Sequence, residues 1–221
     1  MNDLEILKEY LNTKPEIIFE KMSKECMAFT DACTKGALGF GGLGLVIRQD
    51  SNTLYSSFHF GQNSRIDDLM FLITYSSGLD ACDINFLEML VAVVTLKINS
   101  VNNFVTKLVT DNESVRYGLN NKSFKNFLLD SAMYWIKESN YFNDSVRIDT
   151  VENKIVDTLS RKLLVDIDCI PVSWTFINIE NELVSALVFI LNCIRRFKLR
   201  SFYDDNESIE QSSEEDYDWE L

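Results

Sequence analysis

Between Ile84 and Ile98 the chain sets apolar residues at Phe86, Leu87, Leu90, Val91, Val94 and Leu96, a spacing that makes an α-helix buried around most of its circumference. Glu88 stands inside that run, flanked by Phe86, Leu87, Met89 and Leu90. A carboxylate without a partner is costly in such a setting, and a bound cation removes the cost. The run therefore constrains both the fold, which must enclose the helix, and the chemistry, which must give Glu88 something to hold.

The rest of the pattern supplies the enclosing elements. A chain of 221 residues with 46% hydrophobic content buries one sizeable core. Met27 to Thr30 reads as a strand that ends at Asp31. The glycine cluster Gly36, Gly39, Gly41, Gly42 and Gly44 runs into Leu45-Val46-Ile47, with neither the Lys-Ser/Thr nor the helix start that a phosphate cradle needs. It reads as a turn and a strand whose backbone lies close to a neighbour. Leu54 to Phe60 and Met70 to Tyr75 are further strand candidates, and successive strands without helices between them predict an antiparallel meander. Phe104 to Thr110 is a β-rich run ending at Asp111. Helices are expected from Glu113 and over Phe124 to Lys137, then a short strand around Val146 and Ile148, then a helix containing Asp157. The order predicts an α/β fold, a mixed five-stranded sheet with an antiparallel meander followed by parallel strands, flanked by helices.

Four segments follow from this reading. Residues 1–24 form a leader, with Leu4, Ile6, Leu7 and Leu11 at helical spacing. Residues 25–165 form the α/β body, residues 166–200 an apolar helical extension, and residues 201–221 an acidic tail of disordered composition. In the extension, Val184, Leu187, Val188, Leu191 and Ile194 make a stripe expected to pack on the sheet or to meet a protein partner. Arg195, Arg196, Lys198 and Arg200 are expected at the helix's C-terminal end, where positive charge complements the dipole.

The net charge of −13 is unevenly spread, because nine of the 34 acidic residues fall between Ser201 and Leu221, where there is no Lys or Arg. The rest of the chain is close to balanced and need not repel a polyanion if some of its acids hold divalent metal. Five scattered cysteines without a C-x-x-C pair support neither a disulfide framework nor a zinc site. The N-terminus carries Asp3, Glu5 and Glu9 with no signal-peptide core, and the apolar run Leu183 to Leu191 is too short to span a bilayer. A soluble intracellular protein with no membrane partner is the expectation.

Asp31 and Asp111 each end a strand run, and adjacent strands bring such carboxylates together at one sheet edge. Oxygen-only ligands select Mg²⁺ or Mn²⁺ over zinc, and two such ions roughly 4 Å apart can activate water and stabilise the leaving oxygen of a phosphodiester. Asp157, in Asn153-Lys154-Ile155-Val156-Asp157-Thr158-Leu159-Ser160-Arg161, completes a set of four acids.

The motifs around these acids resemble a known family. Phe29-Thr30-Asp31-Ala32-Cys33, with Gly36 and Gly39 after it, resembles the Thr-Asp-Ala-Ser opening of ribonuclease H domains attached to reverse transcriptases. Ile84-Asn85-Phe86-Leu87-Glu88-Met89-Leu90 is similar to their second motif and Val109-Thr110-Asp111-Asn112 to the third. Asn153-x-x-x-Asp157-x-Leu159-Ser160-Arg161 resembles the fourth, the Asn-x-x-Ala-Asp-x-Leu-Ser-Arg signature of long-terminal-repeat and tyrosine-recombinase retrotransposons. The resemblance covers Met27 to Arg161. It implies a ribonuclease H-like fold, a retroelement origin, and cleavage of the RNA strand of an RNA–DNA hybrid with two Mg²⁺ or Mn²⁺ ions. Asp31, Glu88, Asp111 and Asp157 are then the catalytic metal ligands. The chain reads as a free-standing piece of this kind, with Leu4 to Leu11 similar to the connection that precedes such domains.

It departs from the pattern in several places. The chain's one histidine is His59, read as structural, whereas many family members carry a His shortly before the last Asp. Asp149-Thr150-Val151-Glu152 replaces a Pro-Gly turn, Val156 replaces Ala, and Cys33 stands for Ser. For hybrid binding, Asn85, Asn112 and Asn153 are candidates to read hydroxyls near the metals. Arg161 and Lys162, with Lys35, Lys122 and Lys125, are candidate phosphate contacts. A second function class stays open, an adopted and catalytically silent module that binds protein partners through its apolar helix and acidic tail, or binds nucleic acid.

Overall fold

The computed structural model describes residues 24–36, 38–50, 52–137, 142–147, 153–168 and 170–213. The expected leader helix at Leu4 to Leu11, the turn at residues 149–152 and the end of the acidic tail lie outside them. Strands β1 (Lys24–Cys33), β2 (Gly42–Gln49) and β3 (Asn52–His59) form the predicted antiparallel meander. Helices α1 (Ser64–Ser77) and α2 (Ile84–Val101) follow, then β4 (Phe104–Thr110), α3 (Glu113–Asn121), α4 (Phe127–Ile136), β5 (Phe142–Arg147) and α5 (Lys154–Arg161). A two-residue strand β6 (Thr175–Phe176) and a long helix α6 (Glu180–Ser213) complete the chain.

The sheet order is β5-β4-β1-β2-β3-β6, with β4 parallel to β1, β5 parallel to β4, and β6 parallel to β3. The mixed sheet is therefore as expected, with a sixth strand added. Two residues are too few to signal a strand by themselves; β6 exists because Thr175 and Phe176 pair with Leu54 and Tyr55.

The run Met70 to Tyr75 is a correction, since it lies inside helix α1. Asn63 caps that helix, its Oδ1 accepting from the N–H groups of Arg65 at 3.1 Å and Ile66 at 3.4 Å, and Gly78 closes it at φ 71°. Ile66, Met70 and Ile73 are its buried stripe. Their spacing is helical, and the apolar residues between them hid it.

Helix α5 lies on one face of the sheet, where Val156 and Leu159 pack on Val46 with Phe29 and Tyr55 beside them. Helix α2 covers the other face, α4 and α6 pack on it, and α1 packs on α6. By length and composition α2 could cross a membrane, but Phe86 to Leu96 are buried in the domain's main core. The C-terminal helix corrects the expected stripe: α6 packs on α1, α2 and α4 rather than on the sheet. Leu183, Ala186, Leu187, Ile190, Leu191 and Ile194 are buried while Val188 is exposed. The helix also continues past Arg200 to Ser213, so Arg195, Arg196 and Lys198 sit mid-helix, where the dipole does not explain them.

Candidate metal centre

The parallel register of β1 with β4 pairs Phe29 with Val109. Two residues further along stand Asp31, within β1, and Asp111, just past the end of β4, so adjacent strands deliver both carboxylates to the same end of the sheet. Glu88, one turn into α2, reaches the same place. Its Oε1 accepts from the Ala32 N–H at 3.1 Å. Ligand oxygens of Asp31, Glu88 and Asp111 all lie within 4.8 Å of one another.

The electrostatics of this group are those of crowded, buried anions. Glu88 is 4% exposed and its Oε2 has no hydrogen-bond partner. Burial, then the Asp31 charge, raises its carboxyl well above the ordinary 4.5, against the pull of the Ala32 hydrogen bond. Burial also pushes Asp31 up to about 6; the Ser160 hydrogen bond opposes the rise, and the charges of Asp111 and Asp157 add to it. An orphaned carboxylate oxygen inside a three-carboxylate cluster fits a hard divalent cation, whose oxygen ligands these are.

Asp157 stands near enough to raise Asp31 but is not one of the three acids within 4.8 Å. Its Oδ1 pairs with Arg161 Nε across one helical turn. Asn112 donates from Nδ2 to Asn85 Oδ1 at 3.1 Å, and its own Oδ1 caps α3 at Val115 N–H. These two amides therefore sit together beside Asp111 and Glu88. Asn153 is 1% exposed, and its Nδ2 donates to the Thr30 carbonyl at 3.2 Å. This ties the start of α5 to β1 one residue before Asp31, while the Asn153 Oδ1 is buried without a hydrogen-bond partner. Arg161 and Lys162 are exposed at the end of α5, and Lys35, Lys122 and Lys125 are exposed on loops or helix ends.

Sequence reasoning passed over Ser160. Its hydroxyl lies 2.6 Å from Asp31 Oδ2 and 2.9 Å from the Asp157 carbonyl. The available signal was its place three residues after Asp157, which puts it on the same helical face. His59 is buried, and its Nε2 lies 3.0 Å from the Lys162 carbonyl, in keeping with a structural role. The glycines of β2 act as read: a Cβ at Gly42 would stand 2.0 Å from Ser160 O, and one at Gly44 2.4 Å from Val156 O. Only bare backbone lets α5 lie this close to the sheet.

No protein-family model and no curated protein matches the chain. Solved structures do. The chain is similar to LC11-RNase H1, isolated from compost by a metagenomic approach, at 18% identity and TM-score 0.45, over 62% of this chain and 93% of that one. A second structure of LC11-RNase H1, in complex with an RNA/DNA hybrid, matches with the same identity and TM-score over 62% and 94%. RNase H1 from the halophilic archaeon Halobacterium salinarum NRC-1 matches at 14% identity and TM-score 0.41, over 62% and 94%.

Proposed function

We propose that the chain is a ribonuclease H-like, divalent-metal-dependent endonuclease that cleaves the RNA strand of RNA–DNA hybrids and derives from a retroelement reverse transcriptase. The observation that carries the reading is the convergence of Asp31, Glu88 and Asp111 within 4.8 Å, with Glu88 Oε2 buried and unpartnered. The four motifs in order from Phe29 to Arg161 support it.

In this reading Asp31, Glu88, Asp111 and Asp157 would be the ligands of two Mg²⁺ or Mn²⁺ ions. A bound divalent ion supplies positive charge that offsets the charge developing on a phosphodiester and favours ionisation of water. The protein's own groups do the rest. The main-chain N–H of Ala32 fixes Glu88. The paired amides of Asn85 and Asn112 offer hydrogen bonds to 2′-hydroxyls, which distinguish the RNA strand. Arg161, held by Asp157, and Lys162 offer exposed cations at the end of α5 for phosphates.

The test is a labelled RNA–DNA hybrid incubated with purified protein and Mg²⁺ or Mn²⁺, beside Asp111→Asn. Metal-dependent cutting of the RNA strand that the variant loses is expected; wild type and variant equally inert would refute the reading. The engagement of Asp157 by Arg161 favours a second reading, a silent adopted module that binds hybrid or a protein partner without cutting. Hybrid binding without cleavage, retained in Asp111→Asn, selects it.

A further inference from the structure

A helix leaves its last carbonyl groups without intrahelical partners. At the end of α5, side chains from two strands take them up. Ser57 Oγ donates to Leu159 O at 2.7 Å, and Cys33 Sγ donates to Ser160 O at 2.9 Å. His59 Nε2 lies 3.0 Å from Lys162 O; a carbonyl only accepts, so the ring carries its proton on Nε2. Three side chains from β1 and β3 thus grip three of the four consecutive carbonyls from Leu159 to Lys162. They do so across the gap that Gly42 and Gly44 keep open.

The gripped turn carries Ser160, which is fully buried. Its one hydroxyl proton has two acceptors in reach, and the carboxylate of Asp31, at 2.6 Å, is closer and more strongly accepting than the Asp157 carbonyl at 2.9 Å.

We propose that Ser160 is a positioning residue for Asp31: its hydroxyl fixes the rotation of that carboxylate and so sets where the oxygens stand relative to Glu88 and Asp111. Ser57, Cys33 and His59 act through it by holding the turn in place. The inference rests on the metal-centre reading and adds to it a device built from strands that carry no ligand except Asp31. Ser160 touches neither phosphate nor metal in this role. Its loss affects how tightly the acidic cluster takes up an ion, as removal of a group that orients a ligand typically costs about 10–100-fold in metal affinity.

The experiment is calorimetric titration of Mn²⁺ into the full chain, wild type against Ser160→Ala and Ser160→Thr, with metal-free melting curves alongside. The expected result is Mn²⁺ affinity about 10–100-fold weaker in Ser160→Ala, recovery in Ser160→Thr, and Mn²⁺ dependence of hybrid cleavage shifted by the same factor. A purely structural serine would move the metal-free melting temperature and leave affinity alone. Equal affinity in wild type and folded Ser160→Ala overturns the proposal and leaves the metal centre standing. Absence of Mn²⁺ binding in wild type overturns both. If Ser160→Ala does not fold, Cys33→Ala removes one grip only; several-fold weaker Mn²⁺ binding supports the proposal, and unchanged binding overturns it.

Discussion

Replacing Gly42 by Ala puts a methyl group where none fits. The added Cβ would stand 2.0 Å from Ser160 O and 2.8 Å from His59 Nδ1, and real carbon–oxygen contacts of this kind stay beyond about 3 Å. Strand β2 and helix α5 must therefore part by about 1 Å, since the nearest atom is helix backbone and cannot rotate aside. That displacement takes the Cys33–Ser160 contact of 2.9 Å and the Ser57–Leu159 contact of 2.7 Å towards the limit of hydrogen bonding. Overpacking costs about 1–3 kcal/mol and each lost hydrogen bond about 1 kcal/mol. A chain of this size then melts roughly 6–20 °C lower, at about 2–4 °C for each kcal/mol. Gly39→Ala is the control: at φ 78° a side chain is strained, but nothing lies within 4 Å of its Cβ, so it costs only about 1–2 kcal/mol. Circular dichroism melts of both variants read the difference, and hybrid cleavage by Gly42→Ala is expected to fall about 100-fold, as for a 1 Å misplacement in a site. A Gly42→Ala protein that melts with wild type, or no lower than Gly39→Ala, refutes the close approach of α5.

Glu88→Gln removes the ionisable group from the buried cluster, so the metal-free protein is expected to melt no lower than wild type with chelator, while the Mn²⁺-induced rise in melting temperature disappears; persistence of that rise counts against Glu88 as a ligand. Asp31 ionises at about 6 in the fold against an ordinary 3.8, so the folded state binds its proton more tightly than the unfolded chain does. Its contribution is complete below about pH 4 and is lost as pH rises through 6, a change of about 3 kcal/mol at most. Metal-free wild type should therefore lose stability relative to Asp31→Asn across that window, and a constant difference between the two proteins would show that the carboxyl is not perturbed. Leu187→Ala, at a fully buried site in α6, should cost about 2–5 kcal/mol by urea denaturation; a cost under about 1 kcal/mol would mean that α6 is not part of the core.

The acidic cluster was legible because each member breaks a local pattern. Glu88 interrupts an apolar helix, and Asp31 and Asp111 each end a strand-forming run, so the pairing of two parallel strands suffices to bring them together. Helix α1 was not legible by alternation, since Met70-Phe71-Leu72-Ile73 is apolar throughout. Its markers are the cap Asn63 and Gly78 at either end. The Asp31–Ser160 contact joins residues far apart in the chain and depends on how closely α5 lies to β2, which no local pattern states. The tie from Asn153 to Thr30 was not legible either, because it depends on α5 starting directly over β1.

Helix α6 bears on the order in which the molecule can be made. Every candidate ligand, from Asp31 to Asp157, leaves the ribosome before Leu183 to Ile194, yet those later residues share one core with α2, which bears Glu88. Until they arrive, the apolar faces of α1, α2 and α4 that they cover stay open to water and to other chains, the condition under which nascent domains associate wrongly. Assembly of the acidic cluster is thus tied to translation well beyond its own last residue, and a chain released after Arg161 would carry the complete set of acids on a body that cannot close.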